Sequence, residues 1–352
     1  MTIKRFQLWT ELAAIGLMLI VGTLIPHTVF MRAAFAADPL PSAVILMYHR
    51  FGETEYSSTN IKIDQFEAHL EELKKKRYSV LPVAEIVAKL RRGEALPERT
   101  IGITIDDAYA SVYKHAWPRL RDAKLPFTLF VATDPVDRAA PGYMGWDKIR
   151  ELAEAGVSIG SQAKSHPNLA TIPLDAVKRE LDDSNARFTR ELKARPTLFA
   201  YPYGEFSLDV RDVVAGRGFT AAFGQNSGVA HPLLDEFTLP RFALNERFSD
   251  IDRFRLIANA LPLPATDILP ADPMLGDNPP AFGFTVAGEI TRLDRIACFA
   301  SSEGEVHLER LERRIEVRFR KPFPPGRSRV NCTMPGPEDR WRWFGVQFVV
   351  RP

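Results

Sequence analysis

Ile101-Gly102-Ile103-Thr104-Ile105-Asp106-Asp107 is the stretch from which the rest of the 352-residue chain is read. Four of its first five residues are β-branched, as in a buried strand, and the run stops at two adjacent carboxylates. Side chains alternate along a strand, so Asp106 and Asp107 serve one site only if the backbone turns there. In an α/β architecture, sites are built at the carboxyl ends of parallel strands, which favours one carboxylate binding a cation and its neighbour acting as a base. The same pair before Ala108-Tyr109-Ala110-Ser111 also reads as a helix cap that satisfies free amides. The segment alone leaves both readings open.

Working outward, helices alternate with short apolar strands. Residues 43–49 are an apolar run ending at His49, either a site residue or a hydrogen-bonded neighbour of one. Apolar residues at helical spacing (Phe66, Leu70, Leu73) predict a helix over 63–77, and 83–90 predict a second, with a short strand at 78–82 between them. Further strands are expected at 126–132, 157–161, 197–204 and 219–223, with helices at 146–155 and 174–192. Such βα units imply a parallel sheet, and their number suggests a barrel with helices outside.

Past Pro262 the character changes. Residues 263–280 are Pro-rich and read as a linker, and 281–352 alternate with period two, which predicts a small antiparallel β-sandwich. Trp341 and Trp343 there suit either sugar stacking or core packing. The two cysteines, Cys298 and Cys332, fall in this part and are expected to pair in an oxidising compartment. At the other end, Lys4 and Arg5, an apolar run over 12–25 and Ala34-Phe35-Ala36 have the order of a secretory signal spanning 1–36, with an uncleaved membrane anchor as the competing reading. A balance of 46 basic and 44 acidic residues gives no reason to expect a nucleic-acid partner, though it leaves local basic patches open.

Three motifs occupy strand exits in order: Thr104-Ile105-Asp106-Asp107, Ser161-Gln162-Ala163-Lys164-Ser165-His166-Pro167 and Tyr201-Pro202-Tyr203-Gly204. Together with Leu46-Met47-Tyr48-His49 they resemble the polysaccharide deacetylases of carbohydrate esterase family four, over residues 40–262. The resemblance implies a distorted (β/α) barrel that removes acetyl groups from a polysaccharide, usually from N-acetylglucosamine. It implies Asp106 as general base, and Asp107 and His166 as ligands of a divalent metal (zinc, or cobalt, nickel or manganese) with Gln162 in the remaining ligand position. Tyr203 would offer its backbone amide to the oxyanion, and His49, Pro202 and Tyr203 would line the groove.

The chain departs from the family pattern in three places. Gln162 replaces the first metal histidine, Ala200 falls where the third motif has arginine, and no Leu-x-His near the barrel's end supplies the general acid. His231 and Arg241 lie in the right part of the chain to stand in for the acid and the arginine. The expectation is therefore a periplasmic or secreted, metal-dependent hydrolase acting on carbon–nitrogen bonds of an acetylated polysaccharide. A non-catalytic glycan-binding protein on the same barrel and an O-acetyl esterase are the alternatives.

Overall fold

The β-branched run becomes the middle of a parallel sheet in the computed structural model, which describes residues 40–351. The secretory signal read at 1–36 lies outside the described residues. Eight strands form the sheet: β1 (Ala43–Tyr48), β2 (Ser79–Val80), β3 (Thr100–Ile105), β4 (Thr128–Val131), β5 (Ser158–Ser161), β6 (Leu198–Ala200), β7 (Ala221–Phe223) and β8 (Phe242–Ala243). They run in the order β8-β1-β3-β4-β5-β6-β7, with β2 beside the first half of β3. Every pairing is parallel. The seven strands on this path form the expected barrel, left incomplete between β7 and β8. Part of the gap is filled by residues 224–241, where Leu239 bridges to Phe223 and Ala230 to Ala43.

All six residues of β1 and of β3 are buried, because helices cover the outer face while the barrel interior closes the inner one. Gly102 shows how tight this layer is: a Cβ there would lie 2.8 Å from Ile45 Cδ1 and 3.1 Å from both Val83 Cγ2 and Ile86 Cδ1 of helix Val83–Arg92. Gly102→Ala is expected to cost about 1–3 kcal/mol by overpacking. Urea denaturation that finds no loss would mean that the helix sits further out.

The terminal part is a sandwich. One sheet orders Leu261–Pro262, Trp341–Val350, Gly326–Pro335, Ala297–Ala300 and Gly304–Glu305, and the other Ala265–Leu269, Phe282–Val286, Arg314–Arg318 and His307–Leu311. Phe282, Phe284, Ile315 and Val317 pack against Val330, Cys332, Phe344 and Phe348 between them.

The linker read at 263–280 is corrected. Ala265–Leu269 is an edge strand of the second sheet, Met274 bridges to Val349, and Leu263 and Leu275 are buried. Pro264 and Pro270 flank the edge strand Ala265–Leu269, where a missing N–H is tolerated, so Pro-rich composition did not mean unstructured chain.

Cys298 and Cys332 are register partners on adjacent strands and form a disulfide. Replacing both by alanine is expected to cost about 2–4 kcal/mol through the loop the bridge closes. Chemical unfolding of the oxidised protein and the double variant measures it, and equal midpoints would refute the expectation.

The sandwich packs closely on the barrel. A Cβ on Gly345 would come within 2.3 Å of Ser227 O, Asn226 Nδ2 donates to Gly345 O at 2.9 Å, and Trp343 packs edge-on against Phe242 with ring centroids 5.2 Å apart. Trp343 thus has a packing role, while Trp341 is 39% exposed.

Candidate active site

The turn that the two aspartates require is present: φ is +75° at Asp107 and +50° at Ala108, directly after β3. Asp106 N–H donates to Tyr48 O and Asp107 N–H to Phe130 O, so the neighbouring strands hold both residues at the sheet's carboxyl edge. The Asp106 side chain is fully buried. Arg241, also fully buried and placed just before β8, grips it with two bonds, Nη1 to Oδ1 at 2.7 Å and Nη2 to Oδ2 at 2.9 Å. The same guanidinium donates to Thr104 Oγ1 at 3.1 Å and to Gly224 O at 3.0 Å. A bidentate pair of this kind fixes the carboxylate's orientation. Arg241, offered by the sequence as a stand-in for the missing third-motif arginine, thus lies directly against Asp106.

Asp107 faces a cleft of about 1040 Å³ together with His49, His166 and Tyr203. His166 Nε2 lies 3.4 Å from Asp107 Oδ1, and His49 Nε2 lies 3.9 Å from Asp106 Oδ2. Burial would raise the Asp107 carboxyl, but His166 and His49 beside it hold it well below the usual carboxylate range. For His166, burial disfavours the charged form, yet Asp107 outweighs it and the imidazole is pushed up. Its ring meets Tyr203 edge-on, with centroids 4.7 Å apart.

Tyr203 occupies a left-handed position, φ +60°, in the short turn Pro202–Gly204. The terminal sandwich braces that turn: Gln347 Nε2 donates to Tyr203 O at 3.2 Å and to Gly204 O at 3.0 Å, and Arg327 Nη1 donates to Tyr203 O at 3.2 Å. Among the described residues the Tyr203 N–H has no hydrogen-bond acceptor, which leaves it available to an oxyanion.

Three sequence expectations are corrected here. Gln162 is 1% exposed and does not line the cleft; its Oε1 accepts the Asp107 N–H at 3.0 Å. The amide oxygen, the atom a cation would need, is committed to holding the Asp107 backbone. His231 lies beside Ala230, which bridges to Ala43 at the start of β1, at the far end of the barrel from the site. There its Nδ1 has no partner among the described residues, and burial pushes the imidazole down to about 4, so it is neutral and remote. Pro202 is buried and shapes the turn without reaching the cleft.

Sequence reasoning missed the cleft's other walls. Tyr109 and Tyr143 line one side, and Phe299, Arg327, Arg329 and Asn331 of the sandwich line another. The period-two spacing of Arg327, Arg329 and Asn331 was a legible sign of one polar strand face, although nothing in the sequence said what it faced.

Among the described residues no cluster of three or more His, Cys, Asp or Glu side chains is placed to hold a metal. Asp107 and His166 still suit a divalent cation: a carboxylate and an imidazole bound to one zinc-sized ion stand roughly 3.3 Å apart, close to the 3.4 Å observed. With Gln162 turned away, the donor set fits a cation held by two side chains.

Residues 93–222 match the sequence profile of the polysaccharide deacetylase family. The chain is 25% identical over 186 residues to a putative polysaccharide deacetylase, YxkH, of Bacillus subtilis, covering 53% of this chain and 65% of the relative's length. It is 24% identical over 233 residues to poly-β-1,6-N-acetyl-D-glucosamine N-deacetylase of Staphylococcus aureus, covering 58% and 79%. Among solved structures, IcaB from Ammonifex degensii superposes with a TM-score of 0.57 at 24% identity, covering 63% of this chain and 98% of that one. The deacetylase PplD of Streptococcus pyogenes gives 0.57 at 21%, covering 61% and 97%. Those two likenesses speak for the fold.

Proposed function

We propose that this chain, which belongs to the polysaccharide deacetylase family, removes N-acetyl groups from a polysaccharide outside the cytoplasm. The observation that carries the reading is the pairing of a buried, arginine-clamped Asp106 with a cleft-facing Asp107 and His166 at one strand end. Asp106 is the general base of this reading; it lies behind the cleft wall, held by Arg241, and faces the cleft through His49, which lines it with Nε2 3.9 Å from Asp106 Oδ2, so the proton of the attacking water reaches Asp106 on that side. The Tyr203 N–H, aimed by its left-handed turn and held by Gln347 and Arg327, stabilises the oxyanion of the tetrahedral species. A divalent cation, when bound by Asp107 and His166, would supply Lewis-acid polarisation of the acetyl carbonyl.

Export is supported by the amino-terminal pattern and by the disulfide, which persists in oxidising compartments. No helix among the described residues is long and apolar enough to cross a membrane. Membrane association through an uncleaved amino-terminal segment is tested by finding intact Met1 in a membrane fraction.

With two side-chain donors the cation is expected to bind weakly and to be stripped by chelator, and Asp107→Ala is expected to abolish binding. Zinc titration by calorimetry checks this: tight binding that survives Asp107→Ala would place the metal elsewhere. Acetate release from acetylated chitooligosaccharides and from acetylxylan, with and without added cation, tests the activity and separates N-acetyl from O-acetyl cleavage. Gln162 favours the rival reading of a glycan-binding protein without turnover, and binding with no acetate from either substrate would establish it.

A further inference from the structure

The cleft's charge is strongly one-sided. Arg138, Arg253, Arg327 and Arg329 line it, against a single lining carboxylate, Asp107. They come from three separate places: just past helix Thr133–Asp137, within helix Ile251–Ala258, and on strand Gly326–Pro335. Arg327 has a carboxylate nearby, Glu205 Oε1 at 3.4 Å. Among the described residues the other three donate only to neutral acceptors: Arg138 to Asp134 O at 3.3 Å, Arg253 to Phe248 O at 2.5 Å and Arg329 to Gln347 Oε1 at 3.1 Å. Burial pushes the Arg253 guanidinium down to about 10, and burial together with the Arg327 charge lowers Arg329. Partly desolvated cations in proteins are ordinarily paired; here Arg253 has no carboxylate partner among the described residues, and Arg327 and Arg329 share the single carboxylate Glu205. The chain as a whole is nearly neutral at net +2, so this patch is local to the cleft.

We propose that the cleft selects an anionic glycan, whose carboxylate or phosphate groups are bound by these arginines while Tyr203 and Phe299 carry its sugar rings. The guanidinium fork matches either anion with two parallel bonds, which a neutral hydroxyl cannot exploit. Tyr203 and Phe299 are 41% and 44% exposed and offer flat faces beside the charges. Arg327 also donates to Tyr203 O, so an acidic group bound there lies next to the turn that carries the oxyanion donor. The proposal rests on the cleft being a glycan site and names the substrate class the proposed deacetylation would act on.

The test is calorimetric titration of the full chain with three probes: N-acetylchitohexaose, a hyaluronan hexasaccharide and a phosphodiester-linked N-acetylglucosamine oligomer. At low salt at least one acidic probe is expected to bind about tenfold or more tighter than the neutral one, with the gap closing as salt is raised. Preference for hyaluronan assigns the carboxylate, and preference for the phosphodiester oligomer assigns the phosphate. Arg138→Gln, at an exposed rim position, and Arg253→Gln with Arg329→Gln should each narrow the gap. Neutral binding equal to or tighter than acidic binding overturns the proposal, as does an acidic preference untouched by all three substitutions. Acidic preference without acetate release from any probe upholds it while overturning the deacetylase reading.

Discussion

Arg241→Ala is expected to destabilise the protein by about 3–5 kcal/mol, because it leaves the Asp106 charge buried without its partner. Both side chains are fully buried, and the guanidinium supplies four of the site's bonds, two to Asp106 and one each to Thr104 and Gly224. Its loss removes the clamp on the base and leaves Thr104 and the Gly224 carbonyl without that donor. The contrast with Arg241→Gln separates the two contributions, since an amide restores some hydrogen bonding but no charge. Denaturant unfolding of both variants beside wild type measures the effect. A loss below about 1 kcal/mol in Arg241→Ala would mean that the pairing is not the organising feature of the site.

Asp106→Asn is expected to lower kcat/KM for acetate release by 10²–10⁴-fold, roughly the contribution of a positioned general base. The amide keeps the shape of the carboxylate and one acceptor for Arg241 but leaves that buried guanidinium without its counter-charge, so a loss of about 3–5 kcal/mol of stability is expected as well, and the rate is compared under conditions where both proteins are fully folded. A rate loss that persists where the variant is fully folded is what a base predicts. A merely structural Asp106 would show the two falling together, with activity recovering at lower temperature as the folded fraction rises.

The parts that were legible in the sequence were those that local chemistry determines. The β-branched run 101–105 is β3, the period-two tail is a sandwich, and the three motifs at strand exits do converge on one barrel edge. What was hidden depends on which residues the fold brings together. Arg241 stood out only as lying in the right region, since its pairing with Asp106 spans 135 residues. His231 was misplaced because spacing does not tell which end of a barrel a loop returns to. Gln162 has the residue type of a weak ligand, and only the direction of its amide, toward the Asp107 N–H, assigns it to support instead. The segment 263–280 misled because proline at a sheet edge and proline in a linker look alike in composition.

The most direct test is acetate release from acetylated chitooligosaccharides by the purified chain, supplemented with zinc, cobalt, nickel or manganese in turn and run beside Asp106→Asn. The account predicts turnover with at least one cation, loss of that turnover on chelation, and near-absence of it in the variant under conditions where the variant is fully folded. Binding of the oligosaccharides without acetate release under any cation, or equal release by wild type and Asp106→Asn, would contradict it.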